Sequence, residues 1–449
     1  MNRRQFVRRA AALSAAGLAA NLDLLSLTAE AAFTDYKALV CVFLFGGVDG
    51  NNVLIPLDSV GYGQYSKVRS SASGIQLTQA ELLPITPQNV AKPYGLHPAM
   101  TSLKTLFDGG QLALLANVGS LTQPTTKTQY AGGVRPENLY SHADQQGQWQ
   151  TSIPAGGSRT GWGGRLADAV GAGSGQSFPM ITSTAGVTLF TTGAATSPLA
   201  IPTSGSFGLS GFGTSNAAKA RLTALNALLG LDGENTLVAA AADITKQAVA
   251  LSATVNPIIA TTSPLLSNAF AGLNTSVSNQ LLAVAKMIEA RAATGAKRQI
   301  FFVSLGGFDT HNGELATQQT LFGQLSPALG AFYKATSDLG VSDKVTTFTL
   351  SDFGRTFQPA AGGGSDHAWG NHHMIVGGAV KGGNLYGTYP TLQLNGPDDA
   401  EKEGRWIPTT SIDQYGATLA TWFGATDQQL AVIFPNLSRF TTKNLNFMA

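Results

Sequence analysis

Carboxylates and imidazoles gather late in this chain. Phe308-Asp309-Thr310-His311 follows the pair Gly306-Gly307, and Ser351-Asp352-Phe353-Gly354-Arg355-Thr356 follows a second apolar run. Asp366-His367 and Asn371-His372-His373 come soon after, so four of the six histidines fall between residues 311 and 373. Carboxylate oxygen and imidazole nitrogen are the donors that divalent metals take. Asp49, in Gly46-Gly47-Val48-Asp49, repeats the Gly-Gly-x-Asp pattern of residues 306–309. Glycine there lets the backbone pass close to whatever the acid binds. The structural alternative for each residue is a capping Asp309, a turn-forming Asp352 and histidines that satisfy loop carbonyls.

The elements that must position these side chains are legible as runs. Residues 37–45, 112–118, 299–305 and 345–350 are almost continuously apolar, as expected of strands covered on both faces. A further strand is expected at 373–380. Helical periodicity marks 99–108, 217–231, 237–251, 278–294, 314–339 with a kink or break at Pro327, and 413–423. Alternating strands and helices imply an α/β fold with a mainly parallel sheet between helices. In such sheets ligands bind beyond the carboxyl ends of the strands, which is where Asp49, Asp309 and Asp352 fall. Residues 32–449 are expected to form a single domain. The stretch 171–295, Gly/Ser/Thr-rich to 215 and then helical, reads as an insertion or cap.

Composition narrows the function. The 449 residues are 43% hydrophobic and only 12% charged, with 52 glycines and no basic stripe, which excludes a nucleic-acid binder. Cys41, the sole cysteine, lies inside an apolar run, so disulfides are excluded and a thiol nucleophile is disfavoured. At the start, Asn2-Arg3-Arg4-Gln5-Phe6 is a twin-arginine pattern, and Ala29-Glu30-Ala31 is a small-x-small cleavage site. Asn21 and Asp23 cut the apolar run between them to about a dozen residues, too short to span a bilayer. Residues 1–31 are therefore read as a signal peptide for the twin-arginine translocase, cleaved near Ala31. The mature protein is then periplasmic or secreted, without stable membrane insertion. Arg3, Arg4, Arg8 and Arg9 less Asp23 and Glu30 give the leader the chain's whole formal charge of +2.

The motifs resemble those of a family of exported bacterial proteins called domain of unknown function 1501, placed in the alkaline-phosphatase-like clan. The matching pieces run in order through most of the mature chain: Phe45-Gly-Gly-Val-Asp-Gly-Asn51, Leu96-His-Pro-Ala-Met100, Ser141-His142, Gly306-Gly-Phe-Asp-Thr-His311, Ser351-Asp-Phe-Gly-Arg-Thr356, Ser365-Asp-His367, Gly377-Gly-Ala-Val-Lys-Gly-Gly383 and Ile407-Pro-Thr-Thr410. The resemblance implies an alkaline-phosphatase-like sheet and one or two divalent ions, Zn, Mn, Mg or Ca. It implies metal ligation by Asp49, Asp309, His311, Asp352 and His367, with His372 or His373 as a substitute. It makes Ser141 the nucleophile and gives Arg355 the phosphate or sulfate to hold. His97 and His142 are expected in supporting or structural roles, and Ser141 has a helix cap as its structural alternative. The chain departs from the clan in Phe353, which stands where a histidine is usual, and in a spacing of two rather than four between Asp309 and His311. It also lacks a Cys/Ser-x-Pro-x-Arg motif near Ser141, which argues against a formylglycine sulfatase. Two functions follow: a metal-dependent hydrolase of phosphate or sulfate esters, or a non-catalytic periplasmic binding protein with a vestigial metal site. The substrate is a small molecule or a glycan; Trp149, Trp162, Trp369 and Trp406 have rings that can stack on sugars.

Overall fold

The structure is a computed structural model that describes residues 33–171, 174–209, 211–212, 215–231 and 236–449. The expected signal peptide lies outside the described residues. Strands β1 (Lys37–Leu44), β2 (Leu112–Gly119), β3 (Ile181–Ser183), β4 (Leu199–Ala200), β5 (Arg298–Leu305), β6 (Val345–Ser351), β7 (Asn371–Val376), β8 (Leu385–Gly387) and β9 (Thr410–Ser411) form one sheet. Its order is β8-β2-β7-β6-β1-β5-β3-β4, with β9 added to β2. Every pair is parallel except those of β7, which runs antiparallel to β2 and β6. The expected mainly parallel α/β sheet is the one observed.

Side-chain alternation explains why β1 reads as unbroken apolar sequence. Ala38, Val40, Val42 and Leu44 enter one core and Leu39, Cys41 and Phe43 the other, because successive residues point to opposite faces and both are covered. On the first face lie α1 (Thr101–Asp108), α4 (Ser276–Glu289) and α5 (Glu314–Asp338); on the second lie α2 (His142–Thr151), α3 (Trp162–Gly171) and α6 (Ile412–Phe423). Helix α5 runs on through Pro327 as one element of 25 residues.

The reversal of β7 follows from its connection. Between β6 and β7 the chain forms only a hairpin, Arg355–Ala360 against Gly364–His367, with no crossover helix to return it to a parallel start. Asn371 therefore begins β7 at the edge where β1, β5 and β6 end. The stretch 171–295 supplies β3 and β4 to the sheet and α4 to a core, while the helices Asn216–Leu228 and Thr236–Ala260 expose Leu228 and Ile244. Among the described residues no helix is long and apolar enough to cross a membrane.

Candidate metal centre

The centre is assembled where β5 and β6 leave the sheet beside β1. Gly46 takes φ +113°, and a Cβ there would stand 2.4 Å from the Asp309 backbone nitrogen. The glycine thus lets the β1 loop lie directly on the Asp309 loop. Ser351 Oγ, at the end of β6, donates to Leu44 O (2.7 Å) and accepts from Val48 N–H (3.0 Å), stitching the same loops together. Asp352 follows and is fully buried. The hairpin after it returns Asp366 and His367, and α2 begins at His142 on the same spot.

Three imidazoles meet at Asp309. Its Oδ1 lies 3.3 Å from His142 Nε2, 3.1 Å from His311 Nε2 and 3.4 Å from His367 Nε2, and the last two nitrogens are 2.9 Å apart. The other nitrogen of each ring faces an oxygen. His142 Nδ1 is 2.7 Å from Asp352 Oδ2, His367 Nδ1 is 2.7 Å from the Tyr140 carbonyl, and His311 Nδ1 is 3.1 Å from Asp366 Oδ1. Carbonyls and carboxylates only accept, so each Nδ1 carries a proton, and in the neutral ring Nε2 then presents a lone pair. His142 Nε2 is buried and has no hydrogen-bond partner. Lone pairs and a carboxylate oxygen facing one another at about 3 Å repel unless a cation or proton lies among them. The fit to a metal ion is therefore good: His142, Asp309 and His367 offer donor atoms that all lie within 4.8 Å of one another, and outer oxygens fix the tautomers as they do for metal-bound imidazoles.

Arg355 builds this centre. Its Nη2 donates to Asp309 Oδ1 and to Gly46 O (2.7 Å), its Nε to Gly47 O (2.9 Å) and its Nη1 to Ser365 O (2.7 Å). The guanidinium is thus bonded on every nitrogen to protein oxygens, in place of the bidentate oxyanion contact expected for it. Desolvation would raise the Asp309 carboxyl, but the hydrogen bond and charge of Arg355 hold it down, at about 2. Phe353 packs its ring 4.7 Å from those of His142 and His367, forming the apolar wall that fixes their planes. Desolvation lowers the His367 pKa, which keeps that ring neutral.

Not every expected residue reaches the centre. Asp49 caps a short helical turn and is buried against Arg69, which also donates to Asn52 Oδ1 and to the Phe357 and Thr356 carbonyls. Its carboxylate is occupied by that ion pair and by Asn51. His372 lies near Asp49 instead, its Nδ1 accepting from Asn117 N–H at 3.0 Å and its ring 4.9 Å from Tyr389. Ser141 sits beside His142 as the N-cap of α2, with Oγ 2.5 Å from Asp144 Oδ2. Asp352 holds His142 and accepts from Gln146 Nε2 at 2.8 Å.

Sequence reasoning gave His142 only a supporting role, placed Asp366 in the cluster without assigning it one, and passed over Glu314. His142 is the first residue of a helix reached through a long loop, and no local pattern reports where that loop docks. Buried Glu314 accepts from Thr310 Oγ1 (3.1 Å) and Ser365 Oγ. It therefore ties together the residue between Asp309 and His311 and the one before Asp366-His367. Burial and the adjacent Asp49 raise its pKa against the pull of the Arg69 guanidinium, 4.0 Å away, which favours the neutral carboxyl under the site.

The family described as a protein of unknown function (DUF1501) matches residues 36–402. The chain belongs to the DUF1501 family. A comparison with curated proteins gave no match. Solved structures similar to this DUF1501 chain include the PsFucS1 sulfatase from Pseudoalteromonas sp., at 10% identity and TM-score 0.35, covering 92% of this chain and 72% of that one. Ps i-CgsB in complex with k-i-k-neocarrahexaose is similar at 10% identity and TM-score 0.33, covering 88% and 74% respectively. The lipoteichoic acid synthase LtaP from Listeria monocytogenes is similar at 9% identity and TM-score 0.32, covering 87% and 79%.

Proposed function

We propose that this protein is an exported, metal-dependent hydrolase of phosphate or sulfate esters. The observation that carries the reading is the convergence of three Nε2 lone pairs on Asp309 Oδ1, each imidazole pinned through Nδ1. His142, Asp309 and His367 would hold the cation, and an imidazole-rich donor set favours zinc-like transition metals over magnesium or calcium. A bound divalent ion supplies Lewis-acid polarisation of a phosphoryl or sulfuryl oxygen.

The chain's own groups do the positioning. Asp352 keeps the proton of His142 on Nδ1, Arg355 fixes and ionises Asp309, and Phe353 excludes water from one side of the rings. The order of the clan-like motifs supports phosphate or sulfate esters as the substrate class. The Arg3-Arg4 pattern and the Ala29-Glu30-Ala31 site support twin-arginine export and a periplasmic or secreted location.

A second reading, a metal-bearing protein that binds a small molecule or glycan without turnover, is favoured by the commitment of Ser141 Oγ to Asp144 and of Arg355 to backbone carbonyls. Metal analysis of protein purified from the cytoplasm, followed by aryl phosphate and aryl sulfate assays, separates the two. Retained zinc or manganese with turnover abolished in His142→Ala supports the hydrolase. Retained metal with no cleavage of either ester overturns it in favour of binding, and metal-free protein that does not take up zinc overturns the metal centre itself.

A further inference from the structure

Of the three imidazoles at Asp309, two take their direction from carboxylates, His142 from Asp352 and His311 from Asp366. His367 takes its direction from the main chain, through the Tyr140 carbonyl at 2.7 Å. Truncating a side chain cannot delete that acceptor. Where it points is set by the Tyr140 backbone, whose φ is +72°, in the left-handed region. Glycine and asparagine enter this region readily, whereas a residue with a bulky side chain is an outlier there. Such a conformation persists only where the surroundings over-determine it.

Tyr140 is held on three sides. Its N–H donates to Gln145 Oε1 at 2.6 Å, in the first turn of α2. Its hydroxyl is 3.0 Å from that of Tyr130, whose own proton goes to Glu401, so Tyr140 is the donor of the pair. The guanidinium of Arg405 covers its ring, 4.4 Å from the centroid, in a cation–π contact. The same guanidinium donates from Nε to the His367 carbonyl at 2.8 Å and bonds Glu401 and Glu403. Tyr140 and Arg405 therefore grip His367 from two ends, one through Nδ1 of the ring and the other through the main chain. Ser141, next in the chain, caps α2, so the turn that delivers His142 to Asp309 also supplies the acceptor for His367.

We infer that Tyr140 is a positioning residue of the centre: its left-handed backbone, held in place by the contacts of its side chain with Tyr130 and Arg405, aims a carbonyl at His367 and so decides which nitrogen of that ring faces Asp309. The hydrogen bond made by one ring nitrogen selects the role of the other. The use to which His367 Nε2 is then put rests on the metal-centre part of the function proposed above; the direction of the ring does not.

The test follows the His367 Nδ1–H proton by imidazole nitrogen NMR and solvent exchange in the metal-free full chain, with zinc titrations beside it. In the parent this proton should be present and protected. Tyr140→Ala keeps a Cβ but loses the phenol bond and the stacked ring, so its backbone should leave the left-handed region. The His367 Nδ1–H should then exchange about tenfold faster or more, and zinc affinity should fall by about 10–100-fold. Tyr140→Gly and Tyr140→Asn lose the same contacts but accept the left-handed backbone, and should restore most of the protection and the affinity. Unchanged protection in Tyr140→Ala overturns the inference. So do Gly and Asn variants as unprotected as the Ala variant, which would make the tyrosine side chain, and not the backbone it holds, the part that matters. Should Tyr140→Ala fail to fold by circular dichroism, the Gly and Asn variants decide against the parent: protection kept supports the inference and protection lost overturns it. If protection follows the expected order and the chain takes up no zinc, the role of Tyr140 stands and the metal centre falls.

Discussion

Asp352 and His142 meet at 2.7 Å, a fully buried carboxylate at the end of β6 and the first imidazole of α2. The pair joins two segments 210 residues apart and decides which nitrogen of His142 faces Asp309. Removing the carboxylate should therefore act on the metal without touching a ligand. Asp352→Asn should lower zinc affinity on the order of 10–100-fold while the circular dichroism spectrum is retained. A competition titration against a chromophoric chelator measures this, and unchanged affinity would show that Asp352 does not orient the ring.

Ser141 offers a contrast, since its hydroxyl accepts from the Asp144 N–H as the cap of α2 and also contacts the Asp144 carboxylate. Ser141→Ala should cost about 1 kcal/mol in a urea melt, the usual value of an N-cap, and leave ester cleavage within about threefold of the parent. Loss of turnover with the fold intact would restore Ser141 as the nucleophile.

The strands and the loops differ in how much of this was legible. Apolar runs locate β1, β2, β5 and β6 because a strand covered on both faces has nowhere to place polar side chains. Asp309, His311 and His367 were readable because a Gly-Gly pair and a Ser-Asp-His motif announce loops that approach something closely. The direction of β7 was not, since an antiparallel central strand has the same composition as a parallel one. Asp49 and Asp309 share a motif but meet different partners: Arg69, which occupies Asp49, arrives from a helix whose sequence carries no sign of it. The docking of α2, and with it the role of His142, depends on tertiary contacts that no short window contains.

Glu314 is predicted to matter through its shape as a neutral carboxyl. Glu314→Gln keeps an acceptor for Thr310 and Ser365 and a donor toward Asp49, so stability and zinc affinity should stay close to the parent. Glu314→Ala strands the Ser365 hydroxyl, leaves Thr310 Oγ1 only the long contact to Phe308 O, and removes the tie between the two ligand-bearing loops. It should cost about 1–3 kcal/mol and weaken zinc binding by about tenfold or more. Thermal melts and metal titrations on both variants check this, and a Gln variant as damaged as the Ala variant would mean that Glu314 acts as an anion.

Acid should loosen the core before it discharges the site. Desolvation holds buried His97 and His372 at about 4 and His373 at about 3, and His373 Nε2 has no partner to receive a proton's charge. These rings stay neutral in the folded chain while the unfolded chain protonates near 6.5, so the unfolded state binds more protons as pH falls from about 6.5 to 4. Each ring then removes up to about 1.4 kcal/mol of stability per pH unit across that window, and none above it. Asp413, raised by burial to about 6, works in the opposite direction over part of the same range, so the contribution is best isolated in a variant. Asp309, held at about 2, begins to lose its contribution to stability only below its ordinary value of 3.8, and keeps its own charge until pH nears 2. Urea unfolding of His373→Gln at pH 7, 6 and 5 should show a slope against pH shallower than the parent's by about 1 kcal/mol per unit or somewhat more. Parallel slopes would mean that His373 is already charged in the folded protein.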